Sequence, residues 1–377
     1  SKINWFKDDT GIWFIEYTKK KKTYKLVDFK DFQVVDLFNH KKVANKLSKF
    51  SKKLINQNQL SLFNIQKIGK DNLEFRFEDK LYVLNLNSYQ LKLQEENLKE
   101  EKNLFESKSP DGKWIAYAKD YNLFIKSIES NKEFQLSSEG EKGYEYASSY
   151  DWYDKMEGEN GERPKRFFVN WSEDSNWIVT NIIDTRNAEK MYMLDHSIDT
   201  LYKSKLLSYY RGSPGDTTMV MLKRVFYNIE KKKEFKTSLP IATHINSVSI
   251  EWMNKSGEIL ANYLERGYKT NVLKHINLNN GKERILIKET SKTNIDNFWF
   301  SQLKEKLKVL FLSERSGWRQ LYMTDLKTNK TSPITNGNYY INSVEYIDED
   351  KEEIYFMASG LEPNNNPYHQ KLYKVTY

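Results

Sequence analysis

Three features of the 377-residue chain predict an all-β fold, a β-propeller of about seven to eight four-stranded blades, not necessarily a complete set, with one short helix near the N-terminus. Aromatic residues make up 14% of the chain, and such side chains suit the pleated, half-buried surface of a strand. The hydrophobic period is close to two almost throughout, in short runs bounded by Gly, Asp, Asn or Lys clusters. The runs also recur as a unit with uneven spacing, which suits blades carrying insertions better than a solenoid of constant pitch.

Taken in order, Trp13 to Tyr17 and Leu73 to Phe77 read as strands of ordinary length, and weak copies of the unit begin near Trp5 and Ile68. Between them, Val43, Leu47, Phe50 and Leu54 fall three or four residues apart, so the segment from Asn39 to Leu54 reads as an amphipathic helix. The clearest unit runs from Ser109-Pro110-Asp111-Gly112-Lys113 through the strand Trp114 to Ala118, then Asn122 to Lys126, then Phe134 to Ser137. It recurs from Trp171, from Trp252, from Phe298 and from Tyr346, each time as a polar turn followed by apolar strands. An Asp-Gly or Asp-Ser turn closes such a hairpin at little conformational cost. The whole of 1–377 is therefore expected to be a single propeller domain.

Composition narrows the function classes. Lys plus Arg exceed Asp plus Glu by 60 to 52, but the basic residues are scattered among acids, as at Lys19 to Lys22 and Lys231 to Lys233. Lysines so placed protect strand edges from pairing with other chains. No basic stripe points to nucleic acid. The chain has no Cys, which excludes disulfides, thiolate zinc sites and a Cys nucleophile. The five histidines, His40, His196, His244, His275 and His369, lack the spacing of a zinc site, and no phosphate-binding glycine motif occurs, so neither metal nor cofactor is expected. No apolar run approaches the length of a membrane span. The first residues have no signal-peptide pattern, and the abrupt start on a strand leads us to expect a segment upstream.

Three stretches, in this order, carry a resemblance that covers nearly the whole chain. Ser109-Pro110-Asp111-Gly112-Lys113 leads to Asp120-Tyr121-Asn122-Leu123-Phe124; Ser313-Glu314-Arg315-Ser316-Gly317-Trp318 leads to Leu321-Tyr322; and Asn366-Pro367-Tyr368 leads to Leu372-Tyr373-Lys374-Val375. The chain resembles the N-terminal β-propeller domain of dipeptidyl peptidase IV-like serine peptidases, of the prolyl oligopeptidase (S9) family.

The resemblance implies a non-catalytic domain that gates and binds substrate in an exopeptidase releasing dipeptides or short peptides from free N-termini. Its Ser, Asp and His triad would lie on a C-terminal α/β-hydrolase domain that this chain does not contain, so no catalytic residue is expected here. The nearest approach to a nucleophile elbow, Gly212-Ser213-Pro214-Gly215, is followed by Asp216 to Met221, which reads as a strand rather than a helix. The segment Trp152 to Pro164 sits where the family inserts an acidic element whose carboxylates hold the substrate's terminal ammonium. Its adjacent glutamate pair is not reproduced here, and the acids nearest that place are Asp154, Glu157 and Glu159. These three are the expected substrate-binding residues, because a desolvated ammonium must be paired with a carboxylate. Glu314 and Arg315 fall in a stretch that in the family holds adjacent strands, and are assigned to structure.

The resemblance further implies a peptide substrate, the protein's own hydrolase domain and a second copy of the chain as partners, with neither nucleic acid nor a membrane span, and an exported bacterial protein in the periplasm or at the cell surface. Two other readings stay open at this level. One is a free-standing propeller serving as an interaction platform; the other, ranked last, is a propeller glycosidase with paired carboxylates.

Overall fold

A computed structural model describes residues 3–19, 21–78, 80–94, 104–197, 203–243, 246–295, 298–303 and 306–377. The chain divides into two compact units, Ser1–Lys102 and Asn103–Tyr377.

The first unit holds two four-stranded antiparallel meanders, Asn4–Trp5, Gly11–Tyr17, Lys22–Asp28, Val34–Asp36 and then Leu62–Ile68, Asn72–Phe77, Lys80–Asn85, Leu91–Gln94. The helix His40–Ser51 joins them. Asn39 caps it by accepting from the Lys42 amide, and Val43, Ala44 and Leu47 bury its inner face. The helix stops earlier than the hydrophobic spacing suggests: Lys52 turns left-handed at φ 55° and leaves Leu54 fully exposed. One side chain ties the elements together. The Tyr24 hydroxyl donates to the Leu60 carbonyl (3.0 Å) and accepts from the Leu62 amide (2.8 Å), and burial pushes its pKa up to about 12.

The second unit continues the pattern. A four-stranded meander, Glu106–Lys108, Trp114–Lys119, Asn122–Ser127 and Glu133–Gln135, precedes a sheet built on Tyr144–Tyr146, Trp177–Asp184, Met221–Asn228 and Lys233–Phe235, to which Val169–Trp171 and Ala242–Thr243 also pair. Next come Ser249–Trp252, Glu258–Leu264, Thr270–Asn277, Lys282–Thr290, and then Phe300–Leu303, Lys308–Ser313, Gln320–Asp325, Thr331–Pro333. A three-stranded sheet of Tyr340–Asp348, Glu353–Ser359 and Gln370–Thr376 ends the chain. These sheets are propeller blades, as the repeats predict. An accessory sheet, ordered Met156–Glu157, Lys205–Tyr209, Met191–Asp195, is inserted into the second blade of this unit.

The sequence repeat is a chemical repeat. Ser109 Oγ donates to Asp111 (2.6 Å) and accepts from the Trp114 amide (2.9 Å), and Ser172 Oγ does the same with Asp174 (2.5 Å) and Trp177 (3.0 Å). Both turns thus satisfy their amides locally before the apolar strand begins. Neighbouring sheets of this unit are linked by side chains in sequence order: Trp171 Nε1 donates to Ser107 Oγ (3.2 Å), Trp252 Nε1 to Asn170 (2.7 Å), Ser313 Oγ to Glu289 (2.7 Å) and Arg319 to the Asn342 carbonyl (2.9 Å). Between these links lie fully buried residues such as Ile125, Ile178, Leu273 and Phe311.

Candidate functional site

Within the second unit a cavity of about 710 Å³ opens between the tip of the 114–127 hairpin, the turn at Lys142-Gly143, the strand Tyr144–Tyr146 and the loop Gly161 to Arg166. Pairing of Tyr144 with Asp184 brings Thr185 and Arg186 to its rim, and Tyr210 follows the accessory strand into the wall. Residues up to 105 positions apart meet here, from Phe105 to Tyr210.

A buried ionic network fixes the loop. The Arg163 guanidinium bonds Glu145, the Ser148 hydroxyl (2.9 Å), the Ser149 carbonyl (2.6 Å) and Asp154 (3.5 Å), while Arg166 Nε donates to Asp154 (3.0 Å). The side chains of Asp154 and Arg163 are 2% and 6% exposed. Charges so deeply buried persist only when paired, and each here has two partners, Asp154 with Arg163 and Arg166, and Arg163 with Asp154 and Glu145. Burial also lifts the Tyr150 hydroxyl to about 12 beside this cluster.

The three predicted substrate-binding residues take different places. Asp154 accepts from both arginines and from the Asp151 amide, so its lone pairs are occupied. Glu157 lies in the short strand Met156–Glu157; Met156 faces inward, which turns Glu157 outward to an ion pair with Lys205. Glu159 is exposed, and its carbonyl accepts from Lys190 (2.8 Å). None of the three lines the cavity, whose acids are Asp120, Glu145 and Glu162.

Other sequence candidates settle into structural roles. Ser213 is in a loop whose Gly215 has φ +92°, its amide donates to Asp216, and the following strand begins only at Met221. Arg315 pairs with Glu289 and lies over the Phe311 and Tyr322 rings at 5.1 and 4.8 Å. His275 forms an acid–imidazole pair with Glu258 (2.9 Å), but Arg284 donates to its Nδ1 (3.3 Å). Burial, opposed by Glu258 and reinforced by Arg284, holds that imidazole's pKa below its ordinary value, so the ring is a fixed neutral donor rather than a base. His244 lies outside the described residues. Among the described residues no cluster of His, Asp and Glu is placed to hold a metal ion, and no helix is long and apolar enough to cross a membrane.

Comparison with known families decides which architecture this is: the family described as the dipeptidyl peptidase IV (DPP IV) N-terminal region matches residues 57–377. The chain belongs to that family. Among solved structures, dipeptidyl peptidase 4 from Porphyromonas gingivalis aligns over 99% of this chain and 51% of its own, with 16% identity and a TM-score of 0.56. A protein described as a dipeptidyl aminopeptidase IV from Bacteroides ovatus ATCC 8483 aligns over 95% and 50%, with 15% identity and a TM-score of 0.51. At such identities the likeness is one of fold. The chain spans about half the length of these structures. No curated protein sequence matches it.

For a member of the DPP IV N-terminal region family, the cavity wall is the site feature that sequence reasoning missed. Glu145, Arg163 and Lys142 come from separate turns and strands, and no spacing rule joins them. Of the lining residues, Gly161, Glu162, Arg163 and Pro164 fell within the segment singled out by its acids.

Proposed function

We propose that this chain is the non-catalytic, substrate-binding and substrate-gating propeller domain of a serine exopeptidase that releases dipeptides or short peptides from free N-termini. The nucleophile, base and oxyanion hole would lie on an α/β-hydrolase domain following it in the full-length protein, an exported one. The observation that carries this reading is the cavity, a cleft of short-peptide size lined by both charged and apolar groups and flanked by a buried ionic network, in a chain of the DPP IV N-terminal region family. A rigid wall of paired charges orients a flexible peptide without having to be ordered itself. In this reading Glu157 and Glu159 of the acidic insertion contact the incoming peptide, Glu157 in exchange for Lys205, and Asp154 fixes the loop that carries them.

Titration calorimetry of the chain with short peptides tests the reading. Binding of tripeptides, no turnover of a dipeptide amide, and weaker binding in Glu157→Gln/Glu159→Gln are the expected results. Turnover that depends on Ser213 would overturn the non-catalytic assignment, and failure to bind any short peptide would overturn substrate binding.

A second copy of the chain is the other proposed partner, and a specific observation favours a surface for it. Met191, Tyr192, Met193 and Leu194, at the edge of the accessory sheet, are 42 to 55% exposed on both faces of one strand. Unpaired apolar edges of this kind pair with other strands. Sedimentation should then give a dimer that Leu194→Lys dissociates; a monomer at every concentration sinks the idea.

A further inference from the structure

The hairpin tip that enters the cavity is conformationally unusual. Lys119 pairs with Asn122, so Asp120 and Tyr121 form a two-residue turn, and their φ angles are 47° and 62°. Among the described residues they are the only consecutive non-glycine residues with positive φ. Such a turn selects Asn-Gly or Asp-Gly, because a Cβ at the second position is strained, yet here that position holds a tyrosine.

The surroundings impose this conformation. The Tyr146 amide donates to the Tyr121 carbonyl (2.9 Å), and buried Asn122 donates to the Asp120 carbonyl (2.9 Å) while accepting from Ser137 (3.0 Å) and the Gly140 amide (2.9 Å). Gly140 itself approaches so closely that a Cβ there would lie 2.2 Å from the Tyr121 carbonyl oxygen. Strain held in this way by a buried polar cluster is characteristic of ligand-contacting backbone.

The charges of the cavity single out the same tip. Glu145 is paired with Arg163, Glu162 with Lys142, Arg166 with Asp154, and Arg186 with Asp184 and Glu141. Asp120 is the one cavity carboxylate without a cationic partner among the described residues, and Lys119 and Lys165 are the cavity lysines without an ion pair among them, Lys165 lying within the electrostatic reach of Glu162. Tyr121 is 43% exposed and lies near Lys142, whose charged form is favoured by its hydrogen bond to Glu162.

We infer that Asp120 and Tyr121 form a cation-recognising subsite, in which the carboxylate takes a cationic nitrogen of a short peptide and the phenol ring packs against the carbons beside it. The inference rests on the peptide-binding reading above and moves specificity from the acidic insertion to a different blade. A carboxylate and an aromatic face together are the chemistry of ammonium recognition. The unpaired lysines leave the rest of the ligand anionic, which fits a zwitterionic peptide. The nitrogen belongs either to the chain terminus or to a lysine side chain.

Calorimetry at low ionic strength with three probes, Ala-Ala-Ala, its N-acetyl form and N-acetyl-Ala-Lys-Ala, separates the sources. The wild-type chain is expected to bind at least one amine-bearing probe about tenfold or more tightly than N-acetyl-Ala-Ala-Ala, the usual worth of a charge-assisted pair. Preference for Ala-Ala-Ala assigns the terminus; preference for the lysine probe assigns the side chain. Asp120→Asn, which suits a left-handed turn as well as Asp, should erase the difference without loss of melting temperature. Tyr121→Gly should raise the melting temperature while weakening binding, whereas a merely structural turn would gain stability and bind as before. Equal affinity for acetylated and amine-bearing probes overturns the cation subsite but leaves peptide binding standing, as does an unchanged preference in Asp120→Asn. A wild-type chain that binds no probe overturns the peptide-binding reading and the subsite with it.

Discussion

Lowering the pH from 7.5 to 5.5 should loosen the first unit through one residue, His40. Its ring is 7% exposed, and its Nε2 accepts the Tyr24 backbone amide at 2.8 Å, so that nitrogen must be unprotonated. The Phe38 and Tyr24 rings lie 4.8 and 6.0 Å away, and the charged groups facing it are Asp36, Lys21 and Lys25. Burial dominates and holds the imidazole's pKa below its ordinary value, with Asp36 opposing and the two lysines assisting. The sign follows directly. Between the folded and unfolded pKa values the unfolded chain binds a proton that the folded chain does not, so stability is present above the unfolded pKa and is lost as pH falls below about 6.5. The loss is bounded at about 1.4 kcal/mol per pH unit, or about tenfold in the opening equilibrium, until the folded pKa is reached. Because two units need not unfold together, the appropriate assay is local: hydrogen exchange at the Tyr24 amide, corrected for intrinsic rate, with the Phe311 amide of the second unit as reference. Protection at Tyr24 should fall with pH in the wild type and stay level in His40→Gln, which keeps an acceptor but does not titrate. Equal slopes in both proteins would refute the reasoning.

Four other perturbations follow from packing and pairing. Asp154→Ala should cost about 1–3 kcal/mol in urea denaturation at pH 7, because it removes the main partner of Arg166 and one of the two carboxylates facing buried Arg163, which keeps Glu145, and a result within error of zero would show that Glu145 and solvent compensate them. Gly140→Ala should cost about 1–3 kcal/mol as an overpacking change, since its Cβ meets the Tyr121 carbonyl oxygen. Gly215→Ala, with φ +92° but nothing within 4 Å, should cost only about 1 kcal/mol of left-handed backbone strain; the reverse order of melting temperatures would contradict the geometry. Phe311→Ala should cost about 3–5 kcal/mol, because the ring is fully buried and carries Arg315 above it at 5.1 Å.

The blades were legible because their determinants are local. A Ser-x-Asp turn followed by alternating apolar residues satisfies its own amides and buries its own face, so Ser109 to Ala118 and Ser172 to Thr180 announce themselves without reference to neighbours. The helix was legible through Val43 and Leu47, and its end was not, because a left-handed lysine leaves no mark in hydrophobic spacing. The cavity was illegible for the opposite reason. It is assembled by register: Tyr144 opposite Asp184 and Lys119 opposite Asn122 place its walls, and cross-strand partners are not encoded at any fixed separation.

The acidic insertion shows why counting carboxylates does not locate a binding acid. From Asp151 to Arg166 the chain carries the acids Asp151, Asp154, Glu157, Glu159 and Glu162, but also the cations Lys155, Arg163, Lys165 and Arg166. When the loop folds, its own arginines take Asp154, and outside lysines take Glu157 and Glu162. Each such pairing lowers the electric field that an incoming ammonium would feel, and the buried ones cannot be exchanged for substrate without stranding a guanidinium. Binding capacity therefore moves to carboxylates without an ion pair among the described residues: Glu159 on the insertion, and Asp120 on the strained tip that lines the cavity. Of the two, Asp120 is held by a rigid hairpin next to an aromatic ring, and it is the position at which a charge-neutral substitution should change affinity most for the least change in stability.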